Sequence, residues 1–307
     1  MNIKFWGVRG SIAIPGPTTM RYGGNTPCIE VQGGQGECII LDAGTGLRSL
    51  GNDLIKRGIS ASGIHLFISH THWDHIQGFS FFAPCYIPGM KINVKGPVQY
   101  HEARSLHEVF DLQMQYDFFP VSNNQLAADI CYENLHETEL AIGSLGIKTQ
   151  FMNHSIQSLG YRLTELGKTI VYTGDHEPYY DVFNDSYDAH PSPDDVSLSE
   201  ELGSIVQDAT SRFIDFVRGA DLFIVDCQYT PEEYPSKKRT WGHSSWDFCL
   251  DWMQLSGAGR MVLTHHDPLR TDDALDDILI RVREKARDRG INPEKIMMAR
   301  EGMEIEV

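Results

Sequence analysis

No apolar run in the 307 residues approaches the roughly 20 that a membrane-spanning helix needs. The opening Met1-Asn2-Ile3-Lys4-Phe5-Trp6 also lacks the apolar core and small-residue cleavage site of a secretory signal. The expectation is a cytoplasmic protein without a membrane partner. Cysteine is sparse and scattered: Cys28, Cys38, Cys85, Cys131, Cys227 and Cys249 form no C-x-x-C pair and no dense spacing. Several lie in apolar runs, where a free thiol packs as a small hydrophobe, so structural thiols are expected rather than a disulfide scaffold. Positive charge is scarce too, with 26 Lys and Arg against 42 Asp and Glu and a formal net charge of −16. That field repels polyanions, and no basic cluster interleaved with aromatics offsets it, so large nucleic acid is not an expected partner. A small anion stays admissible, because bound cations reverse the local potential.

What is present is an ordinary globular composition, 41% hydrophobic and 22% charged, in a chain long enough for a large core. Strand-like runs fall at Lys4–Trp6, Cys28–Val31, Cys38–Leu41, His65–Ser69, Ile92–Val94, Ile147–Met152, Tyr161–Leu163, Thr169–Tyr172, Leu222–Val225 and Met261–Thr264. Helical periodicity fits Gly46–Lys56, Gln99–Asp111, Ser211–Arg218, Ser245–Gln254 and Asp273–Arg289. The last of these begins among acids and ends on bases, the order that suits a helix dipole. Asp181 to Leu202, rich in Asp and Ser and carrying Pro191 and Pro193, is expected to be a loop or lid within a single 1–307 domain. The alternation predicts a mixed α/β sandwich with sheets inside and helices outside.

Four of the six residues in His70-Thr71-His72-Trp73-Asp74-His75 are potential metal ligands, directly after the apolar run His65–Ser69. Alternation places His70 and His72 on one side as the strand ends, with Asp74 and His75 opening the next helix from another direction. Imidazole nitrogen and carboxylate oxygen suit zinc best, and also manganese or iron. His154, Asp175 and His265 repeat the theme of a polar residue where an apolar strand stops. His266 rivals His265, and His176 stands beside Asp175 as another candidate.

This H-x-H-x-D-H motif, with later His, Asp and His at strand ends and an early Asp42-Ala43-Gly44-Thr45-Gly46 segment, resembles the metallo-β-lactamase superfamily along nearly the whole chain. The resemblance implies an αββα sandwich, two central mixed sheets with helices on the outer faces and two divalent metal ions at one edge. It assigns His70, His72 and His154 to the first ion, Asp74, His75 and His265 to the second, and Asp175 to a bridge. It also implies hydrolysis, since a water shared by two cations yields hydroxide at neutral pH.

The substrate has to be read from elsewhere, because one fold hosts many chemistries. Trp241-Gly242-His243-Ser244-Ser245 is similar to a segment of the phosphodiesterase branch, which includes tRNase Z and the cyclic phosphodiesterases of phosphonate breakdown. In that branch a histidine before a small hydroxyl residue assists the leaving group, so the resemblance implies a catalytic His243 alongside Asp74. The plain alternative is that His243 merely neighbours a helix cap, with Ser244 as the cap. Phe5-Trp6-Gly7-Val8-Arg9-Gly10-Ser11 and Tyr22-Gly23-Gly24-Asn25-Thr26 are similar to the opening of the same branch. Arg9 and Asn25 are expected either to contact a phosphate or to sit in a tight hairpin. Phe79-Ser80-Phe81-Phe82-Ala83-Pro84 is expected to give either a wall for a nucleobase, starting at Phe79, or core packing. No lysine-rich arm like that of tRNase Z is apparent. The reading is therefore a phosphodiesterase for a small anionic phosphodiester, such as a cyclic nucleotide or cyclic ribose phosphate. The alternatives are a lactonase or thioesterase on the same metals, a tRNase Z-like ribonuclease, or a silent metal-binding regulatory module. The resemblance also admits a homodimer.

Overall fold

A computed structural model describes residues 1–58, 63–99, 104–180, 193–234 and 238–307, the side chains of 193–201 excepted. The first half runs β1 (Asn2–Gly7), β2 (Cys28–Gln32), β3 (Cys38–Leu41), α1 (Gly46–Arg57), β4 (Ile64–Phe67), α2 (Trp73–Ile76), β5 (Lys91–Pro97), α3 (Leu106–Gln113) and β6 (Asp129–Leu135). Then come β7 (Glu139–Ile142), β8 (Leu145–Phe151), β9 (Leu159–Glu165), β10 (Lys168–Tyr172), α4 (Pro193–Val217) and β11 (Leu222–Asp226). The chain closes with α5 (Trp246–Ser256), β12 (Arg260–Thr264), α6 (Asp272–Asp288), β13 (Ile296–Met298) and β14 (Glu304–Glu306).

The strands form two seven-stranded sheets, ordered β14-β1-β2-β3-β4-β5-β6 and β13-β12-β11-β10-β9-β8-β7. In the first sheet β3 to β6 run parallel, and in the second β10 to β13 do, the remaining neighbours pairing antiparallel. Period-two alternation sends side chains to both faces of a strand, so a strand covered on both sides must be apolar throughout. On β11, Leu222 and Ile224 enter the layer between the sheets, whereas Phe223 and Val225 pack outward among residues of α4, α5 and α6. On β3, Ile39 and Leu41 face inward while Cys38 and Ile40 pack outward beside α1 and α3. The expected αββα sandwich is what these three cores build.

Several boundaries differ from expectation. The helix expected from Gln99 starts at Leu106, because Ser105 and Glu108 close a capping box there. The helix expected from Ser211 starts at Pro193, a residue whose fixed φ suits a first helical turn. Of the expected 181–202 loop, 193–202 is therefore helical, and 181–192 lies outside the described residues. Strand β4 stops at Phe67, so His70 stands three residues beyond it in the connection to α2. No helix among the described residues is long and apolar enough to cross a membrane.

Candidate metal centre

Parallel strands leave their carboxyl ends on one edge of a sheet, and loops there converge. Asp42 follows β3, the His70–His75 segment follows β4, Asp175 follows β10, Asp226 ends β11 and His265 follows β12. His154 arrives from the end of β8, and His243 from the loop before α5.

These residues gather into three overlapping sets of donor atoms, the third made by Asp175, Asp226, His243 and His265. In the first, His72 Nδ1 lies 3.0 Å from His70 Nε2 and 3.1 Å from His154 Nε2. In the second, His265 Nε2 lies 3.3 Å from His75 Nε2 and 3.2 Å from Asp74 Oδ2. Asp175 stands between them. Its Oδ2 faces His70 and His154 at 3.5 and 3.9 Å, and its Oδ1 faces His75 and His265 at 3.3 and 3.2 Å. Asp175 Oδ1 is buried with no hydrogen-bond partner among the described residues. A buried acceptor without a donor is costly, and so are imidazole nitrogens aimed at one another. A divalent cation in each of the first two sets would answer both, so the donors fit the two ions that the sequence led us to expect.

Charge in the metal-free centre is divided unevenly. Burial opposes protonation of His265, but Asp175, Asp74 and Asp226 outweigh it and raise the ring to about 9. His75 is raised in the same way, against its burial, by Asp175, Asp74 and Asp42. Burial prevails at His154, pushed down to about 4, and at His70. Asp175 stays well below the usual carboxylate range despite its burial, because His265, His75, His70 and His243 surround it. Cation binding therefore has to displace protons from the second set.

A supporting shell fixes the rings. Asp42, held at φ +63°, accepts from Ser69 N at 2.6 Å, Ser69 Oγ at 2.8 Å, Tyr172 Oη at 2.6 Å and His75 Nδ1 at 2.8 Å. His154 Nδ1 donates to Gly242 O at 2.9 Å. The buried Glu177 anchors that loop, accepting from Thr240 N at 2.7 Å and Gly242 N at 3.0 Å. Four of the five described non-glycine residues with positive φ (Ser11, Asp42, Thr240 and His265) belong to this centre or its shell. Such strain concentrates where the surroundings over-determine a functional geometry.

Both sequence ambiguities have a geometric answer. His266 Nε2 donates to Ala299 O at 2.8 Å and lies outside every donor set, whereas His265 lies inside two. His176 stacks on Phe213 with centroids 4.2 Å apart, and its Nδ1 accepts from Asn153 N. The proposed capping role of Ser244 is not found: its hydroxyl donates to His176 O, and α5 begins after Ser245 with no side-chain cap.

The three expected substrate contacts are engaged elsewhere in the fold. Arg9 is completely buried; its Nε and Nη1 donate to Gly23 O and Arg270 O, both at 2.8 Å, and Nη2 faces Asp272. Asn25 is tied through N and Nδ2 to Glu301. Phe79 is fully buried against Phe110. The opening segment serves the centre through its backbone instead, since Ser11 N donates to Asp74 Oδ2 at 2.7 Å. Asp226 was not anticipated. It is fully buried, its Oδ2 lies 2.9 Å from His243 Nδ1, and burial raises its pKa against the pull of His243. The signal was there to find, because Leu-Phe-Ile-Val-Asp is another apolar strand ending in a potential ligand.

Residues 21–210 match the family model of the metallo-β-lactamase superfamily. No curated protein sequence matches. Among solved structures, the chain is similar to the metallo-β-lactamase fold protein YhfI from Bacillus subtilis, at 17% identity and TM-score 0.65 over 99% of each chain. It is also similar to the short form of human tRNase Z, at 18% identity and TM-score 0.62 over 100% of this chain and 99% of that one. A diphosphatase of the PhnP family gives 16% identity and TM-score 0.62 over 100% and 97%. At these identities the structures establish the fold alone, and the family rests on the model that matches most of the sequence. The chain belongs to the metallo-β-lactamase superfamily.

Proposed function

We propose that this protein is a dinuclear metal-dependent phosphodiesterase acting on a small phosphodiester. The observation that carries the reading is the 2.9 Å contact of His243 Nδ1 with the buried carboxylate of Asp226, which ties that ring next to the His70–His72–His154 and Asp74–His75–His265 donors. His70, His72 and His154 would hold one ion and Asp74, His75 and His265 the other, with Asp175 shared. Zinc suits these donors best, with manganese or iron as alternatives. Divalent cations bound there supply Lewis acidity, drawing charge from a phosphoryl oxygen and lowering the pKa of water.

The chain's own groups account for the remaining steps. Asp226 takes the proton side of His243 Nδ1 and so leaves Nε2 to face the substrate. As an imidazolium, His243 donates that Nε2 proton to the departing alkoxide oxygen while the P–O bond breaks. Asp74, kept ionised against its burial by His75 and His265, accepts a hydrogen bond from the attacking water. His243 Nδ1 also comes within 3.7 Å of Asp175 Oδ2, and one grouping of donors counts it with Asp175, Asp226 and His265. Its much shorter contact with Asp226 favours the proton-donor role over a ligand role.

The names of two structurally similar proteins, a tRNase Z and a diphosphatase, describe phosphorus–oxygen cleavage and agree with this reading. The net charge of −16 favours a compact anion over a tRNA. The test is a screen of metal-reconstituted protein against bis(p-nitrophenyl) phosphate, 3′,5′-cyclic nucleotides, cyclic ribose phosphates, lactones and thioesters. Phosphodiester turnover is expected, and turnover of lactones or thioesters alone would overturn the proposal.

A further inference from the structure

A groove of about 740 Å³ opens directly beside the centre, with His72 in its wall. That is the size of a pocket for a small organic ligand. Three of its aromatic side chains stand out from the surface: Trp73 is 74% exposed, Phe81 59% and Phe118 72%. Phe119 braces Phe81 edge-on, with centroids 5.3 Å apart. Exposing so many rings on one side of a pocket forgoes burial that each would otherwise gain, so the cluster points to a ligand. Gln113 supplies a second, independent sign. Its Nε2 donates to Ile76 O at 3.0 Å and Ser80 Oγ at 3.3 Å, which fixes the orientation of the amide. Gln113 belongs to the same wall, and its Oε1 is buried with no partner among the described residues. The wall thus combines flat apolar faces with one unanswered hydrogen-bond acceptor.

We propose that this groove is a nucleobase subsite. It takes a planar nitrogen heterocycle that stacks on the exposed rings and offers an N–H to Gln113 Oε1, while the attached phosphoryl group lies on the His72 side. The inference rests on the phosphodiesterase reading and narrows its substrate class to nucleoside phosphodiesters. It also relocates the aromatic wall expected of the segment after the metal motif, from Phe79, which is core, to Phe81.

Calorimetric titration of the metal-loaded protein with adenosine 5′-monophosphate and with ribose 5-phosphate isolates the base. Stacking of one base predicts about tenfold tighter binding of the nucleotide. A Phe81→Ala/Phe118→Ala variant should bind the two equally, and Phe118→Tyr should keep the preference; both positions are exposed, so the fold is not at stake. Equal affinities in the unaltered protein, or a preference that survives removal of both rings, overturn the subsite. If the base preference holds while no phosphodiester is hydrolysed, the subsite stands and the phosphodiesterase reading alone fails.

Discussion

Gly10 has no side chain where His265 needs the space. A Cβ at that position would lie 2.5 Å from both Cε1 and Nδ1 of the His265 ring. Ordinary contact begins near 3.4 Å, so in Gly10→Ala the two groups must separate by about 0.9 Å, the difference of those distances. Neither side yields easily. His265 is held by Gln228, Asp74 and Asp175, each at 3.2 Å, and Gly10 N donates to His266 O at 2.9 Å. Metal–ligand distances tolerate only about 0.2 Å. A displacement of roughly 1 Å at a reacting centre costs on the order of 100-fold in rate. Gly10→Ala is therefore expected to bind close to one ion per chain where the parent binds two, and to lose about two orders of magnitude in phosphodiester turnover. Equilibrium dialysis with elemental analysis measures the first quantity. Gly16→Ala, in the same segment with nothing within 4 Å of its added methyl, is the control and should keep both ions. Two ions held by Gly10→Ala with parental affinity would refute the assignment of His265.

Asp226→Asn keeps the shape of the partner of His243 but removes its charge. Turnover of bis(p-nitrophenyl) phosphate should fall by roughly 10² to 10⁴-fold with metal content unchanged, checked by kinetics and elemental analysis on one preparation. Asp42→Asn leaves His75 without its carboxylate, and metal affinity in a chelator competition should weaken by about 10 to 100-fold. Stability of the metal-free protein should depend on pH through His265, which faces Asp74, Asp175 and Asp226. Its folded pKa of about 9 lies above the unfolded value near 6.5, so its stabilisation is complete below 6.5 and is lost as pH rises through 9. His75 acts in the same direction, while His70 and His154, lowered in the fold, are neutral in both states above 6.5 and add no slope. Urea melts of chelator-treated protein should give lower stability at pH 9 than at 6.5, and a flat profile would contradict the charge assignment.

The central strands β3, β10, β11 and β12 were legible because they are buried on two faces and read as largely apolar runs, whereas β1, β5 and β8 show through the alternation of a half-buried strand. The four strands that escaped notice are β6, β7, β13 and β14, and they are the four sheet edges. An edge strand such as Asp129–Leu135 is half-exposed, with mixed polarity that carries no clean period. The candidate metal ligands were legible because His and Asp at the ends of apolar strands have few other reasons to be there. Asp226, at the end of the apolar Leu222–Val225 run, carries the same signal. Arg9 and Asn25 misled, since a polar residue in a glycine-rich loop looks available until its buried partners are known. Phe79 and Phe81 are separated only by the turn of a short 3₁₀ helix, which buries one ring and exposes the other.

In the proposed reaction His243 serves the leaving group and is not a metal ligand. Phosphodiester turnover and metal content of His243→Ala, measured together on the reconstituted protein, test it most directly. Turnover lowered by orders of magnitude with close to two ions per chain is the predicted result. Loss of an ion would make His243 a ligand and contradict the account, as would undiminished phosphodiester turnover with both ions in place.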